Sequence, residues 1–194
     1  MKSLKELLLE KLENTNADQI AVEEYINTNY DISGKLTFVQ TNGVCVVNCD
    51  GDVFVKNKDI EKLTDGFVWG VVDGDFVCLF CNKIKSLEGS PEEVGADFDC
   101  SYCKQLESLE GAPQKVKGYF SCYYCKKLKS LEGAPEYVGG NFRCEYCKNL
   151  KTLKGAPEKV GADFICTYCE NLISLEGAPK NAKGIRCDAR LKIK

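Results

Sequence analysis

The sequence predicts an α/β solenoid, a right-handed coil whose short parallel strands form one long face. A 22-residue unit, F-x-C-x-x-C-x-x-L-x-S-L-x-G-x-P-x-x-V-x-x-x, starts five times, at Phe76, Phe98, Phe120, Phe142 and Phe164. A fixed period of this length is typical of a solenoid, in which each unit forms one coil and only stacking creates a core. Each unit also opens with alternating apolar and polar residues, as expected of a strand with one buried face.

The chain divides into four predicted parts. Residues 1–53 form an N-terminal cap of two helices and β-hairpin segments, because an open solenoid end would expose apolar side chains and unpaired strand edges. Residues 54–75 form a degenerate first repeat. Residues 76–187 hold the five full repeats and a sixth start at Ile185, one residue early. Residues 188–194 form a C-terminal end strand.

The cap begins with two predicted helices. Ser3 and Glu6 fit a capping box for the first, and a second helix is predicted over 17–27. The acidic helical pair is expected to close the solenoid, and a docking or dimerisation role is the alternative. The apolar faces are Leu4, Leu7, Leu8 and Leu12 in the first helix, and Ala21, Val22, Tyr25 and Ile26 in the second.

A turn-rich stretch and three short strands are predicted to follow the helices. Residues 27–34 are rich in turn formers. The strands cover 36–40, 44–48 and 53–56, with Asn42-Gly43 and Asp50-Gly51 as hairpin turns between them.

The degenerate repeat is aligned on two residues. Phe54 lies 22 residues before Phe76, and Val72 stands before Phe76 as Val94 stands before Phe98. In this alignment Ile60 and Leu63 take the places of the two leucines of a full repeat.

Within the repeats, four columns of apolar residues are predicted to form the core. Phenylalanine and the first cysteine point inward from the strand, two leucines follow on the return path, and a Gly-x-Pro corner precedes the valine that closes the interior. The three columns beside the phenylalanines are Ile84, Leu106, Leu128, Leu150 and Leu172; Leu87, Leu109, Leu131, Leu153 and Leu175; and Val94, Val116, Val138, Val160 and Ala182.

The strand segment F-x-C-x-x-C-x-x-L resembles that of cysteine-containing leucine-rich repeats, L-x-L-x-x-C-x-x-L. Cys100 takes the second leucine's place and Cys103 the Asn/Cys ladder place. The pattern from Pro157 to Leu175 is similar to the BspA-like bacterial class, and the S-L-E-G-A-P runs resemble short bacteriophage and gut-bacterial repeats. The resemblance implies a leucine-rich-repeat-like coil that binds proteins. It also suggests a phage protein that engages or inhibits a host factor, such as a defence component.

Composition limits the other classes of function. Histidine is absent, which removes the commonest general base and most mixed zinc sites. The net charge of −3 is too small to name a polyanionic partner. No segment reads as a membrane span or a secretory signal, so we expect a cytoplasmic protein, in the bacterial host if phage-encoded. We expect neither an enzyme nor a cofactor.

Thirteen cysteines include five C-x-x-C pairs, one in each repeat. Two pairs brought together could form a four-thiolate zinc site, and one exposed pair could be a redox dithiol. A solenoid spreads equivalent cysteines along a line, however, and the first cysteine of each pair has inward parity. We therefore expect buried structural thiols, with metal or redox use as the alternative. The pairs are Cys78/Cys81, Cys100/Cys103, Cys122/Cys125, Cys144/Cys147 and Cys166/Cys169.

The predicted partner-binding residues lie on the strand face. An aromatic precedes each second cysteine, and such a rigid amphipathic row is favoured at interfaces. The alternative is that these rings only stack on one another. The outward strand positions vary between repeats, as a partner-specific face would, and the centre is expected around Tyr123. The candidates are Phe80, Tyr102, Tyr123, Tyr124, Arg143, Glu145, Tyr146 and Tyr168.

Lysines beside the aromatics leave a third function open. Lys104, Lys126 and Lys148 could attract single-stranded nucleic acid while the tyrosines stack on bases. A nearby glutamate column, which includes Glu110 and Glu132, favours intercoil salt bridges or simple solvation instead. The sequence does not decide the oligomeric state, or whether a small-molecule groove lies between the cap and the first coil.

Overall fold

The structure, a computed structural model, describes residues 19–188, 190 and 191. It is a parallel β-solenoid of about six turns with one short helix. The first predicted helix, with Ser3 and Glu6, lies outside the described residues. The predicted end strand 188–194 is described only at Asp188, Arg190 and Leu191, which are not in a strand. No helix in the described part of the chain is long and apolar enough to cross a membrane.

Two sheets form the walls of the coil. The strands of the eight-stranded sheet run parallel except for the first. In spatial order they are β1 (Tyr30–Ile32), β4 (Val53–Val55), β6 (Phe76–Val77), β8 (Phe98–Asp99), β10 (Phe120–Ser121), β12 (Phe142–Arg143), β14 (Asp163–Ile165) and β15 (Gly184–Arg186).

The seven-stranded sheet is parallel except for the pair at its N-terminal edge. In spatial order it contains β13 (Lys159–Val160), β11 (Tyr137–Val138), β9 (Lys115–Val116), β7 (Glu93–Val94), β5 (Phe67–Val72), β3 (Val44–Cys49) and β2 (Leu36–Thr41). The predicted valine column was expected only to close the interior, but its four valines lie in strands of this second sheet, whereas Ala182 lies in no strand. The described helix is confined to the cap, so each described coil is built from β-strands and turns alone.

The predicted core columns are confirmed. The five repeat phenylalanines are fully buried, and neighbouring rings stack nearly parallel with centroids 5.1–5.5 Å apart. This separation is close to the ~4.8 Å between paired strands, so ring stacking and strand pairing share one repeat distance. The two leucine columns pack beside them and are also buried. Each coil therefore buries its apolar side chains mainly against its neighbours.

The degenerate repeat starts one residue earlier than predicted. Val53, not Phe54, pairs with Phe76. Val53 is buried, whereas Phe54 points outward and is 38% exposed. Because side chains alternate between faces, a shift of one residue exchanges the inner and outer sets. The other expectations for this coil are confirmed, since Ile60 and Leu63 are buried and Val72 pairs with Val94.

One of the two predicted hairpin turns is wrong. Asn42-Gly43 does join antiparallel strands β2 and β3, and both residues have positive φ. Asp50-Gly51 instead forms a corner, because β3 belongs to the seven-stranded sheet and β4 to the eight-stranded sheet. The stretch 27–34, predicted as turns, contains strand β1.

Both ends of the solenoid core are covered. The described helix, α1 (19–29), buries Val22 and Ile26, and its Tyr25 hydroxyl donates to the carbonyl of Lys62 (2.9 Å). Ala21, predicted on the buried side, is exposed. At the other end the Arg190 guanidinium donates to the carbonyls of Leu172 and Cys169, at 2.8 and 2.6 Å. Arg190 thereby ties the C-terminal end of the described chain to the last full repeat.

Candidate functional site

An aromatic side chain occupies the tight turn after each repeat strand, and its backbone is left-handed. The φ angles at these positions are 58–61°. This region favours glycine, and an L-residue there costs roughly 1–2 kcal/mol. The five residues form what we call the aromatic strip: Phe80, Tyr102, Tyr124, Tyr146 and Tyr168.

The turn is held by the next coil. The amide of Tyr102 donates to the carbonyl of Tyr123 (2.8 Å), and the amide of Tyr124 donates to the carbonyl of Glu145 (2.9 Å). At the end of the stack the Asp188 carboxylate replaces that carbonyl and accepts from the Tyr168 amide (2.9 Å). Because these bonds fix the turn, the strip runs along one edge of the eight-stranded sheet.

The rings of the strip contact one another. At its two ends they stack, with centroids 4.7 Å apart for Phe80 and Tyr102 and 4.4 Å apart for Tyr146 and Tyr168. At the centre the rings tilt, and Tyr123 lies 5.3 Å from both Tyr102 and Tyr146. The predicted alternative of mutual stacking is therefore observed. The ends remain open, since Phe80 is 46% and Tyr168 56% exposed.

Several short polar side chains beside Tyr123 are buried, although strand parity predicted them to point outward. Ser101 and Ser121 are buried, and their hydroxyls lie 2.8 Å apart. The Ser101 hydroxyl also donates to the Asp99 carboxylate (2.5 Å). Parity gives the direction of each side chain correctly, but large neighbours such as Tyr123 exclude solvent from the small ones. The accessible centre is therefore more aromatic than the sequence indicated.

Arg143 and Glu145, both predicted to contact a partner, form an ion pair. The Arg143 Nη2 lies 3.0 Å from the Glu145 Oε1, and this hydrogen bond raises the pKa of Arg143. The guanidinium carbon lies 5.8 Å from the Tyr123 ring centre. Glu145 is only 7% exposed, so it positions Arg143 and offers little contact surface itself. Its Oε2 is buried without a hydrogen-bond partner among the described residues.

A second ladder borders the face and was missed from the sequence. The Asp97 amide donates to the Asp75 carboxylate (2.9 Å), and the Asp163 amide donates to the Asn141 side chain (2.9 Å). The signal was an Asp or Asn directly before four of the five repeat phenylalanines. Tyr119 takes the remaining place, and burial together with Asp99, Asp97 and Asp75 raises its pKa to about 12.

The lysines next to the strip make intramolecular contacts. The Lys126 Nζ lies 4.3 Å from the Tyr124 ring centre, and its hydrogen bond lowers the pKa of Tyr124. Lys148 pairs with Glu170 on the next coil at 2.8 Å, and Lys154 pairs with Glu132 at 2.7 Å. An intercoil salt bridge is thus observed for Lys148, one of the three lysines considered from the sequence, whereas Lys154 was not among them. Such exposed pairs contribute little to stability, because water and salt screen them.

The ten cysteines of the C-x-x-C pairs are buried in the core. Each of the last four second cysteines donates its thiol to the carbonyl of the first cysteine one coil earlier, at 3.1–3.3 Å. Burial raises the pKa of the Cys100 and Cys144 thiols, and that of Cys166 to about 12. In the described part of the chain, no three His, Cys, Asp or Glu side chains are grouped so that they could hold a metal ion.

An open groove of about 630 Å³ lies on the return side of the first coils. Asn82, Lys83 and Ser86 line it with Lys62 from the degenerate repeat. No described cap residue lines it, so it is not the groove between the cap and the first coil that the sequence left open. Its lining is charged and polar, unlike the mostly apolar lining of typical small-molecule pockets.

No protein-family model, curated protein or solved structure matches this chain. The structure alone therefore places this chain in the class of parallel β-solenoids.

Because the backbone of the aromatic strip is strained, we predict that a glycine variant is more stable than an alanine variant at these positions, which is the reverse of the usual order. At Tyr168, whose ring contacts only Tyr146 among the aromatic pairs described, glycine should be more stable than alanine by about 1 kcal/mol, because alanine keeps a Cβ at positive φ. Urea unfolding of Tyr168→Gly and Tyr168→Ala measures this difference. The control pair is Ile173→Gly and Ile173→Ala, at an 84% exposed position without positive φ, where alanine should be the more stable. If alanine were the more stable residue at both positions, the assignment of strain to Tyr168 would be contradicted.

Proposed function

We propose that this chain is a non-enzymatic protein-binding module. It binds its partner through the aromatic strip together with Tyr123 and Arg143 on the eight-stranded sheet. The partner is a protein, and the backbone of the binding surface is held before binding by strand pairing and by the cross-coil bonds of each turn. Rigid binding surfaces lose little conformational entropy on association.

The observation that carries this proposal is the set of five aromatic residues in left-handed backbone. Glycine would adopt the same turn without strain, so the chain tolerates a cost at every coil and keeps a large ring there. Stacking offsets part of this cost, but it leaves Phe80 and Tyr168 about half exposed. Exposed, pre-oriented tyrosine and arginine side chains are the residue types that dominate binding energy at protein interfaces.

The thiol alternative is less well supported. A redox dithiol or a zinc ligand must be a thiolate, and redox use also needs an accessible sulfur. Here the cysteine pairs are buried and donate their protons to backbone carbonyls, as in the bond from Cys125 to the Cys100 carbonyl (3.3 Å). Burial also raises the pKa of Cys100 and Cys144, which opposes thiolate formation.

The nucleic-acid alternative is also less well supported. Base stacking requires free ring faces, but the rings at both ends of the strip stack on each other at 4.7 and 4.4 Å. Lys126 and Lys148 are engaged by Tyr124 and Glu170. The carboxylates of Asp75 and Asp97 lie at the start of strands β6 and β8, at the edge of the sheet opposite the strip, where they would repel phosphates.

The leucine-rich-repeat resemblance sharpens the proposal about the partner. We propose a leucine-rich-repeat-like binding protein of phage type that acts in the bacterial cytoplasm. Its partner would be a host protein, such as a component of a defence system.

The test is affinity purification from a bacterial lysate, followed by binding measurements with the purified partner. The triple variant Tyr102→Ala/Tyr124→Ala/Tyr146→Ala is expected to weaken binding by about 30-fold or more, since loss of residues that dominate an interface costs about 2 kcal/mol or more. The single variant Tyr123→Ala should weaken it less. Thermal unfolding of each variant shows whether it remains folded.

The matched control is Tyr137→Ala. Tyr137 is a tyrosine of the seven-stranded sheet and is 39% exposed, so its loss should leave the affinity unchanged. An unchanged affinity in the folded triple variant would overturn the proposed face. Equal losses in the control and the triple variant would also overturn it, because binding would then not be specific to the strip.

A further inference from the structure

In the described part of the chain the two sheets end in four edge strands, and three of them carry charged side chains. Strand β1 contains Asp31, which pairs with Lys56. Strand β15 ends in Arg186, which pairs with Asp163. Strand β13 begins with the exposed Lys159. Charged side chains on edge strands are a common device against pairing with another chain.

The fourth edge strand, β2, lacks this protection. Its sequence, L-T-F-V-Q-T, contains no charged residue and no proline, and with six residues it is about 20 Å long. Thr37, Val39, Gln40 and Thr41 are exposed, with Val39 at 44%. Within the described chain β2 pairs with β3 alone, so one row of its backbone donors and acceptors has no strand beside it. Long, neutral, β-prone edges of this kind template strand addition.

Sheet order places β2 beyond the end of the other sheet. On the seven-stranded side β3 and β2 follow β5, whereas on the opposite side only β1 follows β4. Strand β2 is thus the outermost strand of its sheet at the N-terminal end. A partner strand can reach it without displacing another strand.

We propose that β2 pairs with β2 of a second copy of this chain, antiparallel about a twofold axis. A neutral strand is complementary to itself, because no charge meets its own image across the axis. The pairing joins two seven-stranded sheets into one continuous sheet and makes the dimer isologous.

The dimer leaves the eight-stranded sheet and its aromatic strip free. Two strips would then be held in one rigid particle. A partner with two copies of its binding site would be bound more tightly than by one chain, through effective concentration alone.

The test is the molar mass in solution, measured by light scattering over a range of protein concentrations with a reductant present to exclude intermolecular disulfides. Wild type is expected to approach twice the chain mass of 21.5 kDa as concentration rises. Thr37→Lys/Val39→Lys should remain at the monomer mass. In the antiparallel registers centred on Thr37, Phe38 or Val39, this double variant sets like charges opposite each other across the axis.

The control is Val68→Lys/Val71→Lys, which adds the same charge to exposed valines of β5, two strands inward from the edge. It should dimerise as wild type does. A wild-type chain that stays monomeric at every concentration would overturn the proposal. Protection of the β2 amides from hydrogen exchange would not rescue it, because another segment of the same chain could then cover this edge. Dimerisation that the β5 lysines abolish and the β2 lysines do not would also overturn it, and would place the contact on the sheet face.

Discussion

Gly133→Ala is expected to lower the free energy of unfolding by roughly 3 kcal/mol or more. A Cβ at this position would lie 2.5 Å from the Glu110 amide nitrogen and 2.6 Å from the Glu110 Cα on the preceding coil. Both neighbours are backbone, and a paired backbone cannot move without separating the coils. Gly133 also has φ of +86°, which adds the cost of a left-handed L-residue.

Gly43→Ala is the matched control. Gly43 has φ of +79°, but nothing lies within 4 Å of its added Cβ, so only the backbone term of about 1 kcal/mol remains. Urea unfolding followed by circular dichroism measures both variants. Similar losses in the two would show that the coils separate easily, which would contradict a tightly stacked solenoid.

Twelve of the thirteen thiols are expected to resist a chromogenic disulfide reagent in the folded protein, leaving Cys187 to react. The twelve are buried, whereas Cys187 is half-buried near the C-terminal end. Reaction at a buried thiol requires opening of the coil. Since opening of a stable core costs several kcal/mol, these thiols should react at least about a thousandfold more slowly than in the denatured chain.

The control for this experiment is Cys187→Ser, which should remove the fast native reaction and leave the slow phase unchanged. Addition of urea should then release the twelve thiols together as the solenoid unfolds. Fast native reaction of several C-x-x-C pairs would contradict the structural role of the cysteines and restore the redox alternative.

The repeat made much of the fold predictable from the sequence. Five copies of one pattern average out local ambiguity, so the inward positions of the phenylalanines, leucines and first cysteines were read correctly. The cap has no second copy to compare with. There the alignment rests on Phe54, which lies 22 residues before Phe76, but Val53 and Val55 are the inward residues of that strand. The choice of face depends on tertiary packing that a single strand does not encode.

The candidate site was predictable in its residues but not in its conformation. Nothing about the aromatic residue before each second cysteine indicates positive φ, because glycine and asparagine are the residues that usually adopt it. The burial of Glu145 was equally hidden, since strand parity assigns it to the outer surface and the neighbouring side chains then cover it. These features depend on the side chains of adjacent coils.

Because the cross-coil thiol bonds repeat from coil to coil, the number of coils could change in evolution without disturbing the bonds between neighbours. Cys125, Cys147 and Cys169 each donate to a carbonyl 25 residues earlier in the chain, so every internal coil presents the same acceptors and receives the same donors. Duplication or loss of one whole unit inside the array would reconnect these bonds without a mismatch. Natural selection could therefore lengthen or shorten the aromatic strip in fixed steps, while substitutions on the outer columns change the chemistry of the sheet surface separately.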